Sequence, residues 1–104
     1  MSTRLDQLLV MLNEEPQDDF LRYAVAVEYA SAGNITEAIS RIESLIADKP
    51  DYLGAYYKLG QLHEQNAAVE KALDVYRRGA EVAKQQNNVK TLGEINTAIL
   101  LLED

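Results

Sequence analysis

The chain has 104 residues, of which 47% are apolar, and these values fit one globular domain rather than a disordered chain. Its net charge of −7 argues against nucleic-acid binding and against anionic membrane surfaces, since both require a basic face. With no cysteine, the chain has no disulfide, thiol nucleophile or thiolate metal ligand. The scarcity of proline and the absence of strand-like alternation predict an all-α fold.

The first predicted helix spans residues 2–14. Its apolar positions are Leu5, Leu8, Met11 and Leu12. Asp6 interrupts the apolar run that a signal peptide needs. The longest apolar run, residues 98–102, is too short to cross a bilayer. We therefore expect a cytoplasmic protein with no membrane partner.

Residues 17–50 form the first of two similar segments, because Pro16 and Pro50 are 34 residues apart and the pattern between them recurs over residues 51–84. With this shift, Tyr23 falls on Tyr57 and the apolar positions Ile35, Ile39 and Ile42 fall on Val69, Leu73 and Tyr76. Apolar spacing of three and four residues is typical of a helix with one buried stripe. Each segment is therefore predicted to contain two helices.

Each predicted helix pair is joined by a short turn. Gly33 and Asn34 are a turn signal, and Asn34 with Glu37 predicts a capping box for the following helix. The matching turn at residues 66–68 has no glycine, so Asn66 is expected to take the left-handed conformation there.

The last predicted helix spans residues 88–102. Its apolar stripe consists of Val89, Leu92, Ile95, Ile99 and Leu102. This helix matches the first helix of a segment, and the helix at 2–14 matches the second helix of one, so we expect each to cover one end of an array.

The positions that recur are those of a known repeat. The tetratricopeptide signature has an aromatic, a leucine, a glycine and a tyrosine on its first helix, an alanine and a phenylalanine on its second, and a closing proline. The first segment has Arg22, Val25, Ala26, Tyr29, Ala38, Ile42 and Pro50 there. The second segment has Tyr56, Leu59, Gly60, His63, Ala72, Tyr76 and Lys84. The chain thus resembles tetratricopeptide repeats, with Arg22, His63 and Lys84 as departures, and Lys84 predicts that its helix continues.

The resemblance implies an antiparallel helix-pair solenoid of about six helices. We expect one domain over residues 1–104, with a half repeat at 2–14, repeats at 17–50 and 51–84, and a capping helix at 88–102. Ala26, Gly60, Ala38 and Ala72 are small where paired helices approach closely, and a larger side chain would force them apart.

In this family the first helix of each pair lines a concave groove. Carried over by register, the groove residues are Phe20, Tyr23, Val27 and Ser31, then Tyr57, Lys58, Gln61 and Glu64. Lys90, Glu94 and Thr97 are expected to close the site. One alternative is that the aromatic residues only cover a neighbouring helix. A branch of the family that clamps chaperone tails has Lys and Asn where this chain has Tyr23 and Val27, so chaperone tails are not predicted ligands.

The sequence contains no arrangement typical of catalysis or metal binding. His63, the sole histidine, replaces a packing tyrosine and is interpreted as a core residue, as is Tyr56. No phosphate loop, nucleophile elbow or triad is present, so we predict neither an enzyme nor a cofactor or metal site.

The predicted function is a non-catalytic scaffold or adaptor that binds a peptide or a helix of a partner protein in the groove. Two alternatives remain open at this stage. The apolar residues 98–102 face more than one side of their helix, which would suit a homodimer through the last helix. The chain could also act as a small chaperone for one substrate.

Overall fold

A computed structural model describes residues 3–103, and over that range the chain forms six α-helices and no strand. The helices are α1 (Arg4–Glu14), α2 (Asp19–Ser31), α3 (Ile35–Asp48), α4 (Leu53–Gln65), α5 (Val69–Gln85) and α6 (Val89–Glu103). The all-α, six-helix prediction is confirmed, and α5 continues through Lys84 as predicted. None of the helices in residues 3–103 combines the length and the apolar character needed to traverse a bilayer.

Four helices begin at side chains that accept a backbone N–H. At the start of α6 the Asn88 side chain accepts from Thr91 at 3.0 Å. Thr3 accepts from Asp6 in a capping box, and Asp18 accepts from Leu21. The capping box predicted at Asn34 forms on one side only, because the Asn34 side chain accepts from the Glu37 N–H. The Glu37 carboxylate pairs instead with Arg41 on the next turn, at 2.9 Å.

The helix-pair turns place a left-handed residue two positions after the helix ends. Gly33 has φ +89°, and the corresponding positions after α4 and α5 are Ala67 (φ 57°) and Asn87 (φ 56°). The prediction for Asn66 is wrong, since its φ is −91°. Asn66 is the C-cap, so the reversal falls on the next residue, which is also the position that the 34-residue shift matches to Gly33.

The helices fall into two compact units, one ending at Pro50 and the other beginning at Asp51. In the first unit α1 packs on α2, as predicted, and α2 packs on α3. The buried cluster between α1 and α2 consists of Leu8, Leu21, Ala24 and Val25, flanked by Leu5, Leu9, Leu12 and Tyr29. The expectation of one domain over residues 1–104 stays a prediction.

In the second unit α4 packs on α5 and α5 packs on α6. Its buried cluster consists of Leu53, Ala72, Tyr76, Ala80, Ala83 and Ile95, flanked by Tyr57, Val82, Leu92, Ala98, Ile99 and Leu102. Tyr76 and Ile95 have no exposed surface, so α5 is held between the helices on either side of it.

Two glycines set how closely these helices approach. A Cβ added at Gly60 of α4 would overlap the ring of Tyr76 on α5, and one added at Gly79 of α5 would lie 2.7 Å from the Cβ of Tyr56. The sequence predicted the contact at Gly60 but not the one at Gly79. The exposed glycines Gly54 and Gly93 have nothing within 4 Å of such a Cβ.

We therefore expect Gly60→Ala to lower the free energy of unfolding by at least about 1 kcal/mol, since overpacking outweighs the better helix propensity of alanine. The matched control Gly93→Ala should raise it by up to about 1 kcal/mol. Urea unfolding followed by circular dichroism measures both. Equal effects of the two substitutions would contradict the close approach at Gly60.

Candidate functional site

The residues predicted to line the groove on α2 share one side of that helix. Phe20, Tyr23, Val27 and Ser31 are separated by three, four and four residues, which follows the helical period. Phe20 is 63% exposed and Ser31 is also exposed, whereas Tyr23 and Val27 are partly buried. The four residues form a surface that we call the α2 face. A phenylalanine this exposed offers a large apolar contact area that the first unit does not cover.

Three of the four residues predicted on α4 also lie together. Lys58, Gln61 and Glu64, joined by Gln65, line a shallow depression of about 410 Å³ in the second unit. Lys58 and Gln61 are partly buried and Glu64 is exposed. This α4 depression offers one ammonium group, one carboxylate and two amides, a set suited to hydrogen bonds with a peptide backbone.

Tyr57 and Glu64 are tied to the core of the second unit through Tyr76. The ring centroids of Tyr57 and Tyr76 are 6.0 Å apart, with the planes tilted by 44°. The Tyr76 hydroxyl donates a hydrogen bond to the Glu64 carboxylate. Tyr57 is therefore a packing residue in part, as the alternative interpretation of the groove aromatics expected.

The same contact changes the acidity of the buried phenol. Burial raises the pKa of the Tyr76 hydroxyl far above its usual value, and the neighbouring Glu64 carboxylate raises it further. Both causes act in the same direction, because each disfavours the phenolate. Tyr76 therefore remains a hydrogen-bond donor while the protein is folded.

The α6 residues expected to close the site do not join the α4 depression. Lys90, Glu94 and Thr97 are exposed on α6, and none of them is among the residues that line the depression. The Thr97 hydroxyl donates to the Gly93 carbonyl at 2.9 Å within its own helix. The structure therefore gives these residues no shared site with α4.

The residues interpreted as core lie as expected. His63 and Tyr56 are buried, with 6% and 3% of their surface exposed. Arg77 and Arg78 are exposed; Arg77 pairs with Glu103 at 2.7 Å. Within residues 3–103 no three metal-ligating side chains converge.

Sequence reasoning missed two features. It took Tyr76 only as an apolar position and did not find its bond to Glu64, which lies on the preceding helix. It noted Arg22 only as a departure from the aromatic signature, although this side chain lines a cavity in the first unit. The available signal was the replacement itself, because a charged residue at a packing position needs a partner.

Because the pKa of Tyr76 is raised in the folded protein, the free energy of unfolding should fall at high pH. Because the folded pKa lies above that of an unfolded tyrosine, about 10, the stabilisation is complete below pH 10 and is lost as pH rises above it. Between about pH 9 and pH 11 the wild type should lose about 1.4 kcal/mol more than Tyr76→Phe, in which this group is absent.

Urea unfolding at the two pH values measures this difference. Equal pH dependence of the wild type and Tyr76→Phe would contradict the assignment.

Comparison with known proteins agrees with this architecture. The tetratricopeptide repeat family model matches residues 29–95, more than half of the chain. The chain is 40% identical to a tetratricopeptide repeat domain protein of Salinibacter ruber, whose solution structure superposes with a TM-score of 0.82 over 85% of this chain and 89% of that one.

A second solved protein shares the fold at lower identity. A Bordetella parapertussis protein, 18% identical, superposes with a TM-score of 0.87 over 99% of this chain and 90% of that one. No curated protein matches this sequence. On the family match and the identity to the Salinibacter ruber protein, this chain belongs to the tetratricopeptide repeat family.

Proposed function

We propose that this chain is a non-catalytic interaction module that binds a peptide or a helix of a partner protein, with the α2 face of the first unit as its principal contact surface. Tetratricopeptide repeats generally mediate protein–protein interaction, which supports the class of function. The observation that carries the proposal is the exposure of Phe20 beside Tyr23 and Val27 on one side of α2. Large aromatic side chains dominate the energy of many protein interfaces.

The α2 face of the first unit and the α4 depression of the second unit are separate candidate surfaces, and they differ in character. The α2 face is largely apolar and aromatic, so it would supply contact area. The α4 depression is lined by polar side chains, so it would supply hydrogen bonds and select the polar groups of the ligand. The Glu64 carboxylate already accepts from Tyr76, and the side-chain donors of the depression are Lys58, Gln61 and Gln65.

Phe20→Ala is the sharpest test of this proposal. Since Phe20 is mostly exposed, its removal should change the unfolding free energy by less than about 0.5 kcal/mol. It should, however, reduce retention of the partner when the protein is used as bait on a lysate of its native cells. Mass spectrometry of the retained proteins measures this loss.

The matched control is Val10→Ala. Val10 of α1 is 62% exposed, which is nearly the same exposed fraction as that of Phe20, and it lies outside the α2 face. A protein lost with Phe20→Ala and kept with Val10→Ala would support the proposal. Identical sets of retained proteins for all three baits would count against the α2 face. Tyr57 is unsuitable for this test, because its truncation would also disturb the core.

A second candidate function is self-association through α6. Val89, Leu100 and Leu101 are 80%, 70% and 73% exposed, more than any other large apolar residue in residues 3–103. Near Val89 a cleft of about 230 Å³ is lined by Ala83, Lys84, Asn87, Asn88, Val89 and Leu92. In an antiparallel two-fold pair, the exposed leucines of each copy would meet the cleft of the other.

If the chain self-associates through α6, a charge placed on the exposed face of α6 should change the mass of the particle in solution. If α6 pairs, light scattering should give twice the mass of one chain at high concentration, and Leu101→Glu should return it to that of one chain. Val10→Glu, a charge added to an exposed residue of α1, should leave the dimer intact. A single-chain mass at every concentration would exclude self-association.

A further inference from the structure

The first unit contains a cavity that the sequence analysis did not anticipate. It has a volume of about 250 Å³ and lies between the segment after α1 and helices α2 and α3. Its polar lining consists of Gln17, Arg22, Arg41, Ser44 and Asp48, and its apolar lining of Leu12 and Pro16. Two arginines against one aspartate leave the lining with an excess of one positive charge, in a chain whose net charge is −7.

Arg22 is the most enclosed charge of this cavity. Its side chain is only 14% exposed, and its Nη2 contacts the Asp48 carboxylate at 2.9 Å and the Ser44 hydroxyl oxygen at 3.2 Å. Its Nη1 is buried and has no hydrogen-bond acceptor among residues 3–103. A guanidinium carries five N–H donors and is always charged, so the first unit leaves part of the hydrogen-bonding capacity of Arg22 unused.

Arg41 supplies a second guanidinium to the same lining. Its Nε donates to Glu37 at 2.9 Å, and its Cζ lies 5.0 Å from the centre of the Tyr29 ring. These two contacts fix the plane of the group, and its terminal Nη atoms donate no hydrogen bond within residues 3–103. The lining therefore combines two guanidinium groups with the Ser44 hydroxyl, and guanidinium groups bind planar carboxylates.

We propose that this cavity binds a side-chain carboxylate, that of a glutamate or aspartate presented by a partner polypeptide. The carboxylate would accept from the guanidinium of Arg41, whose Nε already pairs with Glu37 outside the lining, and Leu12 and Pro16 would contact the methylene groups of the side chain. A phosphate dianion fits less well, because it would place two charges beside the Asp48 carboxylate. The site is distinct from the α2 face, since Arg22 lies about 200° around the helix from Phe20.

The test is a titration of the labelled protein with N-acetyl-glutamic acid amide, followed by NMR of the backbone amides and the arginine Nε–H groups at constant ionic strength. We expect saturable shifts at Arg22, Arg41 and Ser44. N-acetyl-glutamine amide, which has the same shape without the charge, should give none. Two further probes are titrated in parallel. Acetate tests whether a small free carboxylate is sufficient, and inorganic phosphate tests whether the cavity binds oxyanions in general.

Variants locate the binding. Arg41→Gln should weaken the affinity about tenfold, the effect of losing one charge-assisted hydrogen bond. Arg78→Gln, which alters an exposed arginine of the second unit, should leave it unchanged. Arg22→Gln should abolish binding, and because this buried substitution could also unfold the unit, Arg41→Gln and Ser44→Ala decide the matter if it does.

Three results would overturn the proposal: no saturable shift with the glutamate probe, equal shifts with the glutamine probe, or tighter binding of phosphate than of either carboxylate. Acetate binding alone would also overturn it, since that would show a small-anion site that does not admit a side chain. None of these outcomes depends on Phe20, so failure here would leave the proposed α2 face untouched.

Discussion

The close approach of paired helices is the constraint on which this fold depends. In the second unit the ring of Tyr76 occupies the space that a side chain at Gly60 would fill. That placement buries the ring completely, directs its hydroxyl to Glu64 and brings it against Tyr57. One missing side chain on α4 therefore fixes the position of three others, because a close-packed interior leaves no room for adjustment.

The same requirement explains why the repeat could be found in a sequence with few identical residues. Ala26, Ala38 and Ala72 are fully buried, as their register predicted. Close approach demands small side chains at fixed positions, whereas the remaining core positions accept any apolar residue of suitable size. A shift of 34 residues therefore finds the pattern of sizes even where the identities differ.

Predictions failed where more than one local partner was available. Glu37 could reach either the N–H of Asn34 or the guanidinium of Arg41, and the helix periodicity favours the latter. Asn66 has the better intrinsic preference for a left-handed backbone, but the geometry of the helix end assigns that conformation to Ala67. In both cases the residue types suggested one arrangement, and the geometry of the helix selected a neighbouring one.

Some features of the candidate sites could be predicted from the sequence, and others depend on contacts between helices. The α2 face follows from spacing alone, because four positions on one helix need no knowledge of tertiary contacts. The Tyr76–Glu64 bond and the cavity around Arg22 depend on long side chains reaching between helices, which spacing does not specify.

Arg22 stands at a position that usually holds an aromatic packing residue, and its charge must be matched inside the unit. Asp48 and Ser44 match part of it, and the same side chain lines a cavity. Because the chain as a whole is acidic, long-range attraction would not bring a carboxylate to this cavity. Any selectivity there must therefore arise from direct contact with the two guanidinium groups, over distances at which salt screens little.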